Sequence, residues 1–150
     1  YFERLNNPTP WTVRTNKNFL NTVRGICDVV LSEGTADGGA MLTFRLDPPV
    51  GREDGLRQAI AAALPELLAE TGILAAHLCV ARREASLIET TERTGRAPLI
   101  APHWILLVEG MSPAVLAAAC ARHLPDSRLG LRAERGLYAL ELSLSRPPQG

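Results

Sequence analysis

The stretch Ile73–Arg82, ILAAHLCVAR, decides the fold. It is a short apolar run that follows Gly72 and ends in charged residues, the length and framing of a strand rather than a helix. In a strand, alternate side chains point to opposite faces, so Leu74, Leu78 and Val80 are expected on one side and Ala75, His77 and Cys79 on the other. A histidine with a cysteine two places on is unusual on a face that ought to be buried. The second face therefore needs its own explanation.

Working outward toward the C-terminus, a connection from Arg83 to Pro102 leads to a strand in HWILLVEG, starting at His103. Ser112-Pro113 is a good N-cap and first-turn pair for a helix whose face is Val115, Leu116, Ala119, Cys120 and Leu124, ending before Pro125. GLYALELSLS, from Gly136 to Ser145, is the last strand. Toward the N-terminus, Leu56, Ile60, Leu64, Leu67 and Leu68 recur at helical spacing, and Pro65 is expected to kink or divide that helix. Before it, GGAMLTFRLDPP alternates Leu42, Phe44 and Leu46 against Thr43, Arg45 and Asp47, a strand closed by two prolines. The Pro-rich entry NNPTPWTVRT precedes Phe19, Leu20, Val23, Ile26, Cys27, Val30 and Leu31, whose spacing predicts an amphipathic helix capped by Thr12 or Thr15 and stopped near Gly34.

The resulting order, a helix and then βαββαβ, is the split βαβ arrangement of an α+β ferredoxin-like domain, an antiparallel sheet with both helices on one face. The expected organisation is an N-terminal arm and helix over 1–37, the ferredoxin-like domain over 38–146 and a disordered tail over 147–150. In this topology the first and third strands of the unit are in the middle and the second and fourth at the edges. The helix-facing set is then Leu42, Phe44, Leu46, Leu74, Leu78, Val80, Leu106, Val108, Tyr138, Leu140, Leu142 and Leu144. The opposite face holds Thr43, Arg45, Ala75, His77, Cys79, Ile105, Leu107, Glu109, Ala139, Glu141 and Ser143, too apolar for bulk water and too charged for a core. Arg45 is expected to approach Glu141 on one side and Glu109 on the other, with His77 near Glu109, in a covered polar pocket.

The βαββαβ order, the mixed second face and the length resemble the dimeric α/β-barrel superfamily, over about Gly38 to Ser145. The resemblance implies a homodimer and a small-molecule pocket on the sheet face. It also brings in the activities of that superfamily: cofactor-free monooxygenases acting on polycyclic quinols, haem-degrading and haem-peroxidase-like enzymes, small isomerases or lyases, and bacterial proteins with no assigned activity. The expected function is a small-molecule-binding protein or enzyme of the monooxygenase or proton-transfer kind; the alternatives are a non-catalytic dimer whose polar face is only an interface, and a haem-handling protein.

The candidate catalytic residues are His77, Arg45 and Glu109. Histidine changes charge around neutrality and serves as general acid or base, a carboxylate beside it tunes it, and the planar fork of arginine orients a carboxylate or enolate. Thr43, Glu141, Trp11 and His103 are the candidate substrate-binding residues, Trp11 as an aromatic on a Pro-flanked arm and His103 at a strand start. Cys79 reads as a small buried hydrophobe, and His123 as a charge at a helix C-terminus.

Composition limits the classes. The 150 residues carry 16 Lys plus Arg against 16 Asp plus Glu, so no basic stripe exists to displace counterions from nucleic acid. The three cysteines, Cys27, Cys79 and Cys120, are widely spaced and show neither a disulfide framework nor a CxxC site, which fits a cytoplasmic protein. The apolar segments are too short for a membrane span. The histidines have no metal-ligand spacing, and phosphate-binding glycine motifs and a GxSxG elbow do not occur, so neither metal nor cofactor is expected.

Overall fold

A computed structural model describes residues 3, 6–18, 25–35, 37–82 and 104–142. Its elements are α1 (Pro10–Asn16), β1 (Cys27–Gly34), β2 (Ala40–Leu46), α2 (Glu53–Leu68), β3 (Ile73–Ala81), β4 (Trp104–Gly110), α3 (Pro113–His123), α4 (Asp126–Leu129) and β5 (Glu134–Ala139). The sheet is antiparallel in the order β1-β3-β4-β2-β5. The expected ferredoxin-like arrangement is present as β2, α2, β3, β4, α3 and β5, with β2 and β4 in the middle. Among the described residues the chain adds to it a strand, β1, which pairs with β3 so that β3 is not an edge as expected, and two short helices, α1 and α4.

The added strand corrects the reading of the N-terminal segment. Cys27–Gly34 is not helical but pairs antiparallel with β3, from Cys27 opposite Ala81 to Gly34 opposite Ala75. The Val29-Val30 pair is β-branched and favours a pleated surface. A register shift between Val29 and Leu31 breaks the alternation, and what remains imitates a spacing of three and four. Residues 19–24 of the expected helix lie outside the described residues. Among the described residues of this segment α1 is helical, with Thr9 accepting a hydrogen bond from the Thr12 N–H and Pro10 in the first turn.

One core lies between the sheet and helices α2 and α3. Phe44, Leu46, Leu78, Leu106 and Val108 from the sheet meet Ile60, Leu64, Leu67 and Leu116, all fully buried or nearly so. Trp104 closes one end, with the Arg57 guanidinium 5.8 Å above its ring. Helix α2 runs unbroken through Pro65, whose exposed position in the last turn lets the ring face water. Ser112 caps α3 by accepting the Val115 N–H, with Pro113 next to it, as the sequence indicates.

Two further expectations about faces change. Between Ile73 and Ala75 the pairing of β3 with β4 shifts register, so Ile73 and Ala76, not Leu74, join Leu78 in the core. In β5 the parity is the reverse of the expected one. Arg135 and Leu137 stand opposite Phe44 and Leu42 on the helix side, and Tyr138 stands opposite Met41 on the other face. The cause is Arg135, which lies 5.1 Å over the Phe44 ring and bonds Asp126 at 2.6 Å and the Leu124 carbonyl at 3.3 Å. A guanidinium held by stacking and a carboxylate decides the register more firmly than a run of leucines beyond the strand end. Tyr138, Leu140 and Leu142 are accordingly exposed, at 53%, 56% and 72%.

Candidate functional site

The register of the five strands fixes the layout of the face away from the helices. One row across the sheet is Ala75, Glu109, Met41 and Tyr138. The next is Ser32, His77, Leu107, Thr43 and Gly136, and the third is Val29, Cys79, Ile105, Arg45 and Glu134. Leu107 and Ile105 on the central strand β4 form a half-buried apolar floor with charged groups to either side.

His77 is the best-anchored polar residue of this floor. Its Nδ1 lies 2.9 Å from Ser32 Oγ on the added strand β1. Its Nε2 lies 3.9 Å from Glu109 Oε1, close enough for attraction between charges but too long for a hydrogen bond. Glu109 is held in turn by its other oxygen, which accepts the Gly38 N–H at 3.0 Å. The side chains of His77 and Glu109 are 26% and 19% exposed, so this line of groups is partly withdrawn from solvent in a single chain. The expected neighbourhood of His77 and Glu109 is thus present, and Ser32 completes it.

Arg45 lies elsewhere on the face. It does not pair with Glu141 or approach Glu109; its Nη1 lies 3.3 Å from Glu134 Oε1 on β5. Two causes separate them: the parity of β5 puts Glu134, not Glu141, opposite Arg45, and Arg45 stands two rows from Glu109 along the strands. Glu141 is exposed beyond the end of β5. Thr43 shares the face and donates its hydroxyl to the Gly136 carbonyl at 3.4 Å. Trp11 is 66% exposed on α1, which has no buried residue, so it does not anchor that helix to a core. His103 lies outside the described residues.

The cysteines behave as apolar groups. Burial pushes the Cys79 thiol above its ordinary range, with a smaller push from Cys27 nearby; burial and Asp28 do the same to Cys27. Cys120, in the core, is pushed up to about 12 by burial. None of these is an activated nucleophile. His123, at the end of α3, sits between Glu66 of α2 and Glu70 just past the end of that helix, with Nε2 2.8 Å from Glu70 and Nδ1 3.6 Å from Glu66. Arg122 also reaches Glu70, and Arg128 bonds Glu66 at 2.8 Å. These contacts fasten helices on the far side of the core from the candidate site.

Among the described residues no three His, Cys, Asp or Glu side chains are grouped to hold a metal ion, and no helix is long and apolar enough to cross a membrane.

No protein-family model matches the chain, and no curated protein matches it in sequence. Solved structures do share its fold. A haem-degrading enzyme from Listeria monocytogenes superposes with a TM-score of 0.59 at 11% identity, over 80% of this chain and 74% of that one. A ferredoxin-fold protein from the same species, related to antibiotic biosynthesis monooxygenases, gives 0.56 at 9% identity over 83% and 70%. A major regulator of staphylococcal pathogenesis gives 0.55 at 8% identity over 84% and 75%. The chain therefore has an α+β ferredoxin-like fold. At these identities the likeness speaks for the fold alone.

Proposed function

We propose that this protein acts as a homodimer that encloses a small organic ligand against its sheet, and that His77 removes a proton from an activated carbon of that ligand. The observation that carries the reading is the line Ser32, His77, Glu109 set beside the apolar floor of Leu107 and Ile105. With the proton on Nδ1 donated to Ser32 Oγ, the Nε2 lone pair is the basic site. It accepts the proton of the carbon acid, and the electron pair left on carbon spreads onto an adjacent carbonyl oxygen as an enolate. The imidazolium so formed is stabilised by the Glu109 carboxylate, whose own position is set by the Gly38 N–H. Sharing a fold with a haem-degrading enzyme and a monooxygenase-related protein supports placing a ligand on the sheet. The enolate is also the species a cofactor-free oxygenation would start from.

A neutral tricyclic carbon acid, anthrone, tests this. In heavy water the protein should speed exchange of the methylene protons well above the buffer rate, and His77→Ala should bring the rate down by about a hundredfold or to background. Oxygen uptake in the same mixture distinguishes monooxygenation from proton transfer alone. Exchange no faster than in buffer, or unaffected by His77→Ala, overturns the reading.

One observation favours a second reading. Ser32, Thr43 and Glu109 each have a partner within the chain, and Arg45 has Glu134, which is what a purely structural interface would also need. A dimer that shows no thermal shift with anthrone or other flat aromatics would establish that reading instead.

A further inference from the structure

We infer that Cys27 and Cys79 form a two-coordinate site for a soft monovalent cation, Cu(I), using none of the groups assigned to proton transfer. The basis is the register of the edge strand β1 on β3. Cys27 stands opposite Ala81 and Cys79 opposite Val29, with no register shift between the two pairs, so all four side chains leave the same face of the sheet. The two sulfurs occupy one diagonal of this square, and the aliphatic Val29 and Ala81 occupy the other. Diagonal neighbours on antiparallel strands have Cα atoms about 7–8 Å apart and Cβ atoms somewhat nearer. A disulfide needs Cα atoms within about 6.8 Å and Cβ atoms within about 4.5 Å, so direct oxidation of this pair requires the strands to shift. A metal ion between the sulfurs fits without that shift, since two bonds of about 2.3 Å in line hold the sulfurs roughly 4.6 Å apart.

The donor set selects the ion. Both cysteines are half-buried free thiols, and thiolate is the ligand that soft cations prefer. Among the described residues no third His, Cys, Asp or Glu side chain joins the pair in a group able to hold a metal. Zinc takes four donors and is left with half of its shell unfilled here, whereas closed-shell Cu(I) accepts two thiolates in line. Electrostatics lean the same way. Burial and then Asp28 raise the Cys27 thiol, and burial and then Cys27 raise the Cys79 thiol, so the two sulfurs repel one another as thiolates unless a cation stands between them. Binding is a displacement without redox change. The two S–H protons leave to water, two Cu–S bonds form, copper stays Cu(I), and the occupied site carries a single negative charge. Because β1 is an edge strand, the site opens at the rim of the sheet.

Reduced protein, titrated without oxygen into the coloured Cu(I) complex of bicinchoninate, tests this, because loss of the colour reports copper withdrawn by the protein. A single Cu(I) per chain should transfer, with a new thiolate-to-copper band in the ultraviolet and release of about two protons per copper in weak buffer. Cys27→Ser and Cys79→Ser should each lower the affinity about a hundredfold or more, while Cys120→Ser leaves it unchanged, circular dichroism showing that each variant keeps the fold. Zn(II) should be held at least about a hundredfold more weakly than Cu(I) by the unaltered protein. X-ray absorption of the copper-loaded unaltered protein, which does not depend on how the variants fold, should show sulfur neighbours only, in a two-coordinate edge. Copper that stays on the chelator, copper held as tightly by either serine variant at 27 or 79, one copper shared between two chains, or a shell of three or more donors overturns the site.

Discussion

At the scale of single residues, His77 was legible before any fold was known, because a titratable ring in an otherwise apolar strand has to be either paired or useful. Its partner Glu109 followed from parity alone. Ser32 did not, since the apolar spacing of its segment predicts a helix, and nothing in the composition of LSEG marks a serine that will lie 2.9 Å from a histidine 45 residues on. The cysteines were readable for a simpler reason: each stands among apolar neighbours, and burial disfavours the charged thiolate. Their chemistry can be checked directly. With its thiol pushed up to about 12, Cys120 is ionised in only about one molecule in ten thousand at pH 8, and it is 2% exposed. Treated with an aromatic disulfide at pH 8, native protein should label Cys27 and Cys79 slowly and Cys120 only as fast as the chain unfolds. Prompt labelling of all three would contradict the burial described here.

At the scale of elements, periodicity served well where one face of an element meets the core and poorly where geometry interrupts it. Strands β2 and β4 bury the residues their spacing indicates, and helices α2 and α3 do so except at Leu68 and Val115, which are only partly buried. Strands β1 and β3 contain register shifts, and β5 takes its parity from Arg135; these are tertiary effects that a period of two cannot express. The packing of α2 on α3 and α4 has a further consequence for pH. The hydrogen bond from Arg128 is the main cause holding the Glu66 carboxyl below the ordinary 4.5, and those from His123 and then Arg122 do so for Glu70. A carboxylate with a lowered folded-state value stabilises the fold fully above its unfolded value and loses that contribution as pH falls through the folded one. The denaturant midpoint should therefore hold steady down to about pH 4.5 and decline below it. A Glu66→Gln, Glu70→Gln protein should start lower at neutral pH and decline less steeply. Some slope should remain, because Arg82 beside Asp28 and Arg135 beside Asp126 lower those carboxyls in the same sense. An unchanged slope in the double variant would mean that the helix pairs are too well solvated to contribute.

For the whole molecule, the decisive quantity is the apolar character of the sheet face that the helices leave uncovered. Ile105, Leu107 and Met41 are half-buried there, and Val29 and Tyr138 are 60% and 53% exposed. Soluble proteins rarely leave so much contiguous apolar surface to water without a use for it. The proposed second copy, packed sheet to sheet, would cover that surface. A single residue tests this without touching the core. Leu107 points away from the helices while its neighbours Leu106 and Val108 are fully buried on the other side. In an isolated chain a lysine at 107 keeps its charge in water, so the fold should lose at most about 1 kcal/mol. In a face-to-face dimer the same charge is buried without a partner, at a penalty of several kcal/mol. Leu107→Lys should therefore sediment at the mass of one chain where the unaltered protein sediments at two, with its circular dichroism unchanged and its thermal midpoint lowered only by the lost association. An unaltered protein that is monomeric at micromolar concentration, or a Leu107→Lys protein that remains dimeric, would place the partner surface elsewhere and leave the sheet face open.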